Sequence, residues 1–431
     1  MVALQRRVAP SGSLVSLMRT IPFYKPSIGQ AEIDEVVDCL KGGWLTTGPR
    51  TRQFETEFAH YVQRRHAVAV NSCTAAMHLA LEAIGLKAGQ RVLVPTMTFA
   101  ATAEVVRYFN AVPLLVDCRE DDLNLDLADA AKRIAAARAD GHEVAGIIPV
   151  HYGGQIGDVA GVKALAQACH LHVIEDAAHC CPAYYREDEE SPWKAVGSGS
   201  AISCFSFYAN KPITTGEGGM ACTDSEALAD RMRIMSLHGI SRDAWKRYTT
   251  EGSWYYEIIA PGYKYNLPDT AAAIGLPQLR KADVLHQRRA ELAKTYSGLL
   301  ADVDEVILPK TRPNRIHSWH LFCVRLHPER CKVRRAEVIE ELKRAGIGTS
   351  VHWTPLHLHP YYRETQRCAP ADYPWATWLY PQLLSLPLYP DMSTDDVEYV
   401  CRHLRKVLAR SRATISSLGI PGGAASDAYV S

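Results

Sequence analysis

A lysine stands in a stretch of small and apolar residues, Ser206-Phe-Tyr-Ala-Asn-Lys211-Pro-Ile-Thr-Thr-Gly216-Glu-Gly-Gly219, with no acid before Glu217. Burial in such a setting lowers an amine's pKa and makes it a nucleophile toward carbonyls. The same lysine at a turn, with its head in water, would carry no chemistry. Glu175-Asp176-Ala-Ala-His179 closes an apolar run, His172-Val-Ile174. A carboxylate there is costly unless paired or hydrogen-bonded. It can hold a proton on a heteroaromatic nitrogen or cap the helix that follows. Asn71-Ser-Cys-Thr-Ala75 joins a strand to a helix, where small residues and free N–H groups favour an anion. Ser72 or Thr74 also suffices there as an ordinary cap. Phe99 can present a flat face or fill core, and His179 can be a reactive ring or a hydrogen-bonded core histidine. Gly216, Gly218 and Gly219 permit a close or positive-φ turn.

These residues share one context. His66–Val70, Arg91–Pro95, Val112–Asp117, Ala145–Val150, His172–Glu175 and Ala201–Phe205 read as short, buried strands with amphipathic helices between them. That alternation predicts a mostly parallel sheet covered on both faces, with the chemistry beyond the carboxyl ends of its strands. A charged helix around Leu285–Lys294, a strand at Trp319–Arg325 and a helix at Arg334–Ala345 predict a smaller α+β region. The expected division is a tail at 1–20, a large α/β domain at 21–278, a small α+β domain at 279–410 and a disordered Ser/Ala/Gly-rich tail at 411–431. Taken together, the strand ends offer an acid, an amine, an anion cradle and a flat face. A pyridine ring bearing an aldehyde and a phosphate requires those four things.

Composition sets the outer limits. Of 431 residues, 47% are hydrophobic and 22% charged, which suffices for a large core. Lys+Arg at 48 against Asp+Glu at 47 leaves +1, so charge makes no case for a nucleic-acid or anionic-membrane partner. No apolar run reaches the roughly 18 residues of a membrane-spanning helix. The 12 cysteines show neither a metal-binding spacing nor a disulfide framework, which fits a reducing, cytoplasmic setting with no metal. Arg6, Arg7 and Arg19, without an acid among them, fit a transit peptide or a frayed start, and Leu14–Met18 is too short for a secretory signal.

Read in order, the motifs resemble the DegT/DnrJ/EryC1/StrS family of pyridoxal-phosphate sugar aminotransferases. The likeness runs from about Ile21 to Leu408 through Gly43-Trp-Leu-Thr-Thr-Gly48, Asn71-Ser-Cys-Thr-Ala-Ala-Met-His78, Pro95-Thr-Met-Thr-Phe-Ala-Ala-Thr102, Glu175–His179 and Ser206–Lys211. It continues through Gly216–Gly219, Gly262-Tyr-Lys-Tyr-Asn266, His352 and Ser385-Leu-Pro-Leu388. The resemblance implies a fold-type I transferase acting as a homodimer. It implies Lys211 as the Schiff-base lysine, Asp176 on the pyridine nitrogen and His179 on the ring's oxygen side. It also implies the Thr74-Ala75 backbone and the Ser206 hydroxyl around the phosphate, and Phe99 stacked on the ring. Lys264 or Asn266 stands where the partner subunit reaches the phosphate, although many members carry Asn and Arg there. The implied reaction is ping-pong transfer from glutamate to a nucleotide-linked ketosugar, with keto position 4 favoured over 3. Val351-His-Trp353 and Tyr263–Asn266 lean toward the branch forming 4-aminoarabinose or perosamine-like sugars, and His151–Gly154, His238-Gly239 and Trp353-Thr-Pro355 resemble substrate-side loops. A dehydratase or lyase on the same scaffold, and a non-catalytic cofactor-binding regulator, are the alternatives. Lys211 weighs against dehydration, because that branch carries histidine in its place.

Overall fold

A computed structural model describes residues 19–241 and 256–417. The first strands are β1 His66–Val70, β2 Arg91–Pro95, β3 Val112–Val116, β4 Val144–Ile147 and β5 His172–Asp176. Two short strands, β6 Tyr184–Tyr185 and β7 Lys194–Ala195, precede β8 Ile202–Ser206 and β9 Gly219–Thr223. Seven of these form one sheet in the order β1-β9-β8-β5-β4-β2-β3. Strand β9 runs antiparallel to both neighbours, and the other pairings are parallel. The mostly parallel sheet expected from the apolar runs is therefore present, with one strand that those runs do not announce. Gly219-Met-Ala-Cys-Thr223 is poor in branched and aromatic residues, yet all five of its residues are buried. Pairing on both sides, rather than intrinsic preference, makes it a strand.

The second region contributes β10 Val306–Ile307, β11 Arg315–Ile316, β12 Phe322–Leu326 and β13 Leu383–Leu386. Strands β10, β12 and β13 form an antiparallel sheet, and β11 pairs with β6 of the first region. The second core gathers Tyr296, Phe322, Val338, Leu342 and Leu404. Helix Ala282–Leu300 serves both cores, because Leu285 packs in the first and Leu292 and Tyr296 in the second. Tyr362, Ala376 and Leu379 also pack against the first sheet. Contacts thus cross the position near 279 where strand count and helix periodicity begin a second region.

The ends differ from expectation where they are described. Arg19 is held by Asp396 through Nε at 3.0 Å, and Ile21, 1% exposed, is buried in the second core. The backbone of helix Thr394–Ser417 continues through 411–417, part of the segment expected to be disordered. Its heptad-like start, with Val397, Val400, Cys401 and Leu404 buried, propagates beyond the point where composition turns to small residues. The remainder of both expected tails, 1–18 and 418–431, lies outside the described residues.

One buried carboxylate fastens the start of helix Pro49–Tyr61 to the site-bearing segment. Asp269, fully buried, accepts from the amides of Gly48 (2.8 Å), Arg50 (3.1 Å) and Thr51 (2.9 Å) and from the Thr51 hydroxyl (2.7 Å). It thereby caps helix Pro49–Tyr61 from another part of the chain, satisfying donors that a glycine N-cap cannot. Asp269→Ala should destabilise the protein by about 3 kcal/mol, measured as a loss in chemical denaturation. A change within the error of that measurement would show that water replaces the carboxylate.

Candidate active site

Three strand ends meet at one edge of the main sheet. Asp176 closes β5 in register with Cys204 of β8. Ser206 closes β8 opposite Gly219, and Gly219 in turn pairs with Val70, the end of β1. The helix Cys73–Ala83 starts directly above that glycine. A Cβ on Gly219 would lie 2.4 Å from the carbonyl carbon and oxygen of Ser72 and 2.5 Å from the nitrogen of Cys73. The position needs glycine because two backbones touch there. Ser72 is the cap, its Oγ accepting from Ala75 N at 3.1 Å. The amides of Cys73 and Thr74 donate to no acceptor among the described residues. Thr74, Ala75 and Ser206 are thus brought to one corner, with two unused amides at a helix start.

Asp176 is 5% exposed. Its Oδ2 accepts from the Thr102 hydroxyl at 2.9 Å and its Oδ1 from Ala178 N at 3.1 Å. Thr98 Oγ1 lies 2.8 Å from Thr102 Oγ1, extending the chain of hydroxyls. Burial raises the carboxyl's pKa, while these two donors and the nearby Lys211 and His151 pull it back. Lys211 keeps some exposed surface, but its amine lies deep among protein atoms. Burial lowers its pKa to about 8, opposed by the charge of Asp176 and by Cys73. The acid and the amine therefore sit within electrostatic reach, each moderating the other's displacement. The apolar setting read from the sequence produces the depressed amine, as burial of an ammonium requires.

Beside the amine lies a cluster of uncharged rings. His179 is 4% exposed, and burial, with help from Lys211 and His352, holds its pKa well below the usual range. Its Nδ1 accepts from Gly153 N at 3.2 Å, so in the neutral ring Nε2 carries the proton. Trp353 stacks on it with centroids 5.0 Å apart, and His320 tilts against it at 4.2 Å. Burial also lowers the pKa of His320 and takes that of His352 to about 4. His352 Nδ1 lies 2.9 Å from Ser385 Oγ, and the Tyr152 hydroxyl donates to the His352 carbonyl. The second region thus delivers His320, His352 and Trp353 to the amine of the first.

Other candidates fall around this centre. Phe99 is 61% exposed, so it does not fill core and keeps a face open. Lys264 bonds Asn266 within the same chain, and Asn266 Nδ2 donates to Thr47 Oγ1 at 2.7 Å. Asn71 N donates to Tyr265 O at 2.7 Å, which places this segment beside the helix start of its own chain. Residues lacking a role in the sequence reading are Thr102 and His320, and His151, read there only as part of a substrate-side loop, forms a buried pair with Glu175, Nε2 and Oε2 being 3.2 Å apart. The hydroxyls of Thr98 and Thr102, spaced i and i+4 across the start of helix Ala101–Arg107, are the one available signal. Nothing near His320 in sequence points to Lys211.

A buried acid, a depressed amine and a helix start with spare amides at one sheet edge define a site for pyridoxal-phosphate chemistry. The family model described as the DegT/DnrJ/EryC1/StrS aminotransferase family matches residues 26–405. The chain belongs to that family and is a pyridoxal-phosphate-dependent aminotransferase. It is 43% identical over 389 residues to the spore coat polysaccharide biosynthesis protein SpsC of Bacillus subtilis (strain 168), covering 90% of this chain and 97% of that protein. Among solved structures it is similar to Spr1654 of Streptococcus pneumoniae, assigned as a sugar aminotransferase and solved in its PMP form. That match has 30% identity and a TM-score of 0.82, over 93% of this chain and 100% of the other. Helicobacter pylori PseC, an aminotransferase involved in the biosynthesis of pseudoaminic acid, matches with 25% identity and a TM-score of 0.80, over 91% and 100%.

Two outcomes follow from the electrostatics. Thr102→Val removes a donor that favours the ionised form of Asp176, so the acid limb of the pH–rate profile should move to higher pH, with kcat falling about tenfold or more. An unmoved limb would assign Thr102 to packing alone. The neutral amine is the reactive form of Lys211, so cofactor uptake by stripped protein should accelerate as pH rises toward about 8 and level off above it. A rate that continues rising past pH 10 would mean that the lysine is not depressed.

Proposed function

We propose that this chain transfers an amino group from glutamate to a 4-ketosugar carried on a nucleotide, in making an amino sugar for a cell-surface polysaccharide. The observation that carries the transfer chemistry is the depressed amine of Lys211 within reach of a buried, Thr102-held Asp176. The sugar class is supported by the family, by the role of SpsC in spore coat polysaccharide biosynthesis and by that of PseC in pseudoaminic acid biosynthesis.

When bound, pyridoxal phosphate supplies an aldehyde that accepts the amino group and a ring that takes up electrons. The donor set fits that group. Asp176 would hold the ring nitrogen's proton, its ionised form sustained by Thr102 and Ala178. Lys211, neutral for part of its population near pH 8, would hold the aldehyde carbon and move the proton at the reacting carbon. The amides of Cys73 and Thr74, with Ala75 and the Ser206 hydroxyl, would hold the phosphate, and the open face of Phe99 would cover the ring. His179, with its proton on Nε2, would donate on the ring's oxygen side. Trp353, His320 and His352 exclude water from the amine's flank, which strengthens the acid's influence on it.

The chain works, in this reading, as a cytoplasmic homodimer in which Lys264 or Asn266 reaches the partner's phosphate, with a large domain at 21–278 and a small one at 279–410. The test is a panel of nucleotide-linked sugars with keto groups at position 3 or 4, each given with glutamate and analysed by mass spectrometry. Amination of a 4-keto member is expected. Turnover restricted to 3-keto members, or to sugars without a nucleotide, would overturn the substrate assignment while leaving the transferase chemistry intact.

A further inference from the structure

A cavity of about 490 Å³ lies along β3, one of the two edge strands of the main sheet, beneath the segment 365–373. Arg91 and Val112, which begin β2 and β3, both line it. It therefore includes the strand ends opposite those that carry Asp176 and Ser206 and extends along β3 to Leu115. Four arginines line it, Arg91, Arg107, Arg133 and Arg367, against one acidic residue, Asp372.

The balance of partners is what sets this cavity apart. Arg133 is compensated, its Nε donating to Asp129 at 2.6 Å while its guanidinium lies 4.4 Å over the Tyr373 ring. Asp372 is already engaged, accepting from Ala369 N at 2.9 Å. Arg107 has only neutral acceptors, the Tyr361 hydroxyl at 3.1 Å and the Ala111 carbonyl at 2.7 Å. Arg91 Nε is buried with no acceptor, as is Nε2 of Gln366 in the segment that covers the cavity. Arg367 makes no ion pair among the described residues. Three arginines with no ion pair among the described residues thus line one concavity in a chain whose formal charge is only +1. Elsewhere arginines are commonly paired, as in Arg64–Asp224, Arg231–Glu82 and Arg312–Asp122.

Like charges held around a concave, low-dielectric wall attract a counter-anion strongly. The planar fork of arginine matches the oxygens of phosphate better than those of a point acceptor. The volume exceeds that of a lone phosphate and falls in the range of small-molecule sites. Val112, Pro113, Leu114 and Leu115 supply an apolar wall beside the charges. We propose that this cavity is a second binding site, apart from the catalytic one, for a small phosphorylated organic anion. The phosphate end is held by Arg91, Arg107 and Arg367, and the organic body lies on the flank of β3.

The experiment is calorimetric titration of the cofactor-loaded enzyme with pyrophosphate and, separately, with uridine diphosphate, for wild type, Arg91→Gln and Arg367→Gln. Arg367 is exposed, so its variant serves even if the Arg91 variant folds poorly. A binding event in wild type that weakens about tenfold or more in Arg367→Gln, with the cofactor's visible absorbance unchanged, supports the site. Tighter binding of the nucleotide than of pyrophosphate would show that the apolar wall is used, and equal binding would overturn the assignment of an organic body to that wall. Equal affinity of the variants and wild type for both probes, or no uptake by wild type, would overturn it.

Discussion

The structure turns on a carboxylate and an amine held together away from water. Burial alone drives Asp176 toward its neutral form and Lys211 toward the free base. Their mutual attraction works against both displacements, so neither group reaches the extreme that its surroundings favour. An isolated acid at the end of a buried strand would be a liability. Here the hydroxyl of Thr102 and the amide of Ala178 complete its hydrogen bonding. The balance leaves an amine near neutrality beside an acid that retains a claim on a proton, and the rest of the fold has the task of keeping the two in register.

That task falls to strand order. Because β5 and β8 are neighbours, the acid closing one and the segment following the other emerge at one edge. The antiparallel insertion of β9 between β8 and β1 brings the helix start at Cys73 to the same edge, with Gly219 as the point of contact. A single strand of unpromising sequence thus joins the anion cradle to the lysine loop. Asp269 fixes the approach from the other direction, tying the start of helix Pro49–Tyr61 to the segment that contains Asn266.

What the sequence made legible follows from these distances. The six apolar runs and the residues ending them could be read because each strand buries both faces and each polar residue stands at the end of its own run. Strand β9 could not, since its identity comes from neighbours rather than from its composition. Thr102 was visible as part of a motif but not as a partner of Asp176, because the bond spans 74 positions. Phe99 was ambiguous between core and surface until its exposure was known. The division near 279 rests on strand count and helix periodicity, but helix Ala282–Leu300 is amphipathic toward two cores at once, a property that periodicity alone does not separate. The helix running through 411–417 shows the same limit, since backbone propagation carries it past the compositional change.

The neutral histidines explain why the second region is part of the chemistry rather than an appendage. His320 and His352 come from that region and His179 from the first, and burial is the leading cause of the lowered pKa of all three. Were any of them charged, it would repel the ammonium form of Lys211 and depress the amine further, as the direction of their mutual influence already shows. Water admitted between the regions would rehydrate the rings and raise their basicity, and it would also weaken the pull of Asp176 on the amine. The turn at Gly153-Gly154 closes that gap, because Ser318 N and Leu321 N donate to Gly154 O and Gly153 O at 3.0 Å each while Gly153 N donates to His179. A Cβ at Gly154 would come within 2.9 Å of Ser318 Cβ and 3.2 Å of the His179 carbonyl, so the closeness of this seam depends on a residue without a side chain. The protonation states at the lysine are therefore set as much by how tightly two parts of the chain are sewn together as by the groups that border it.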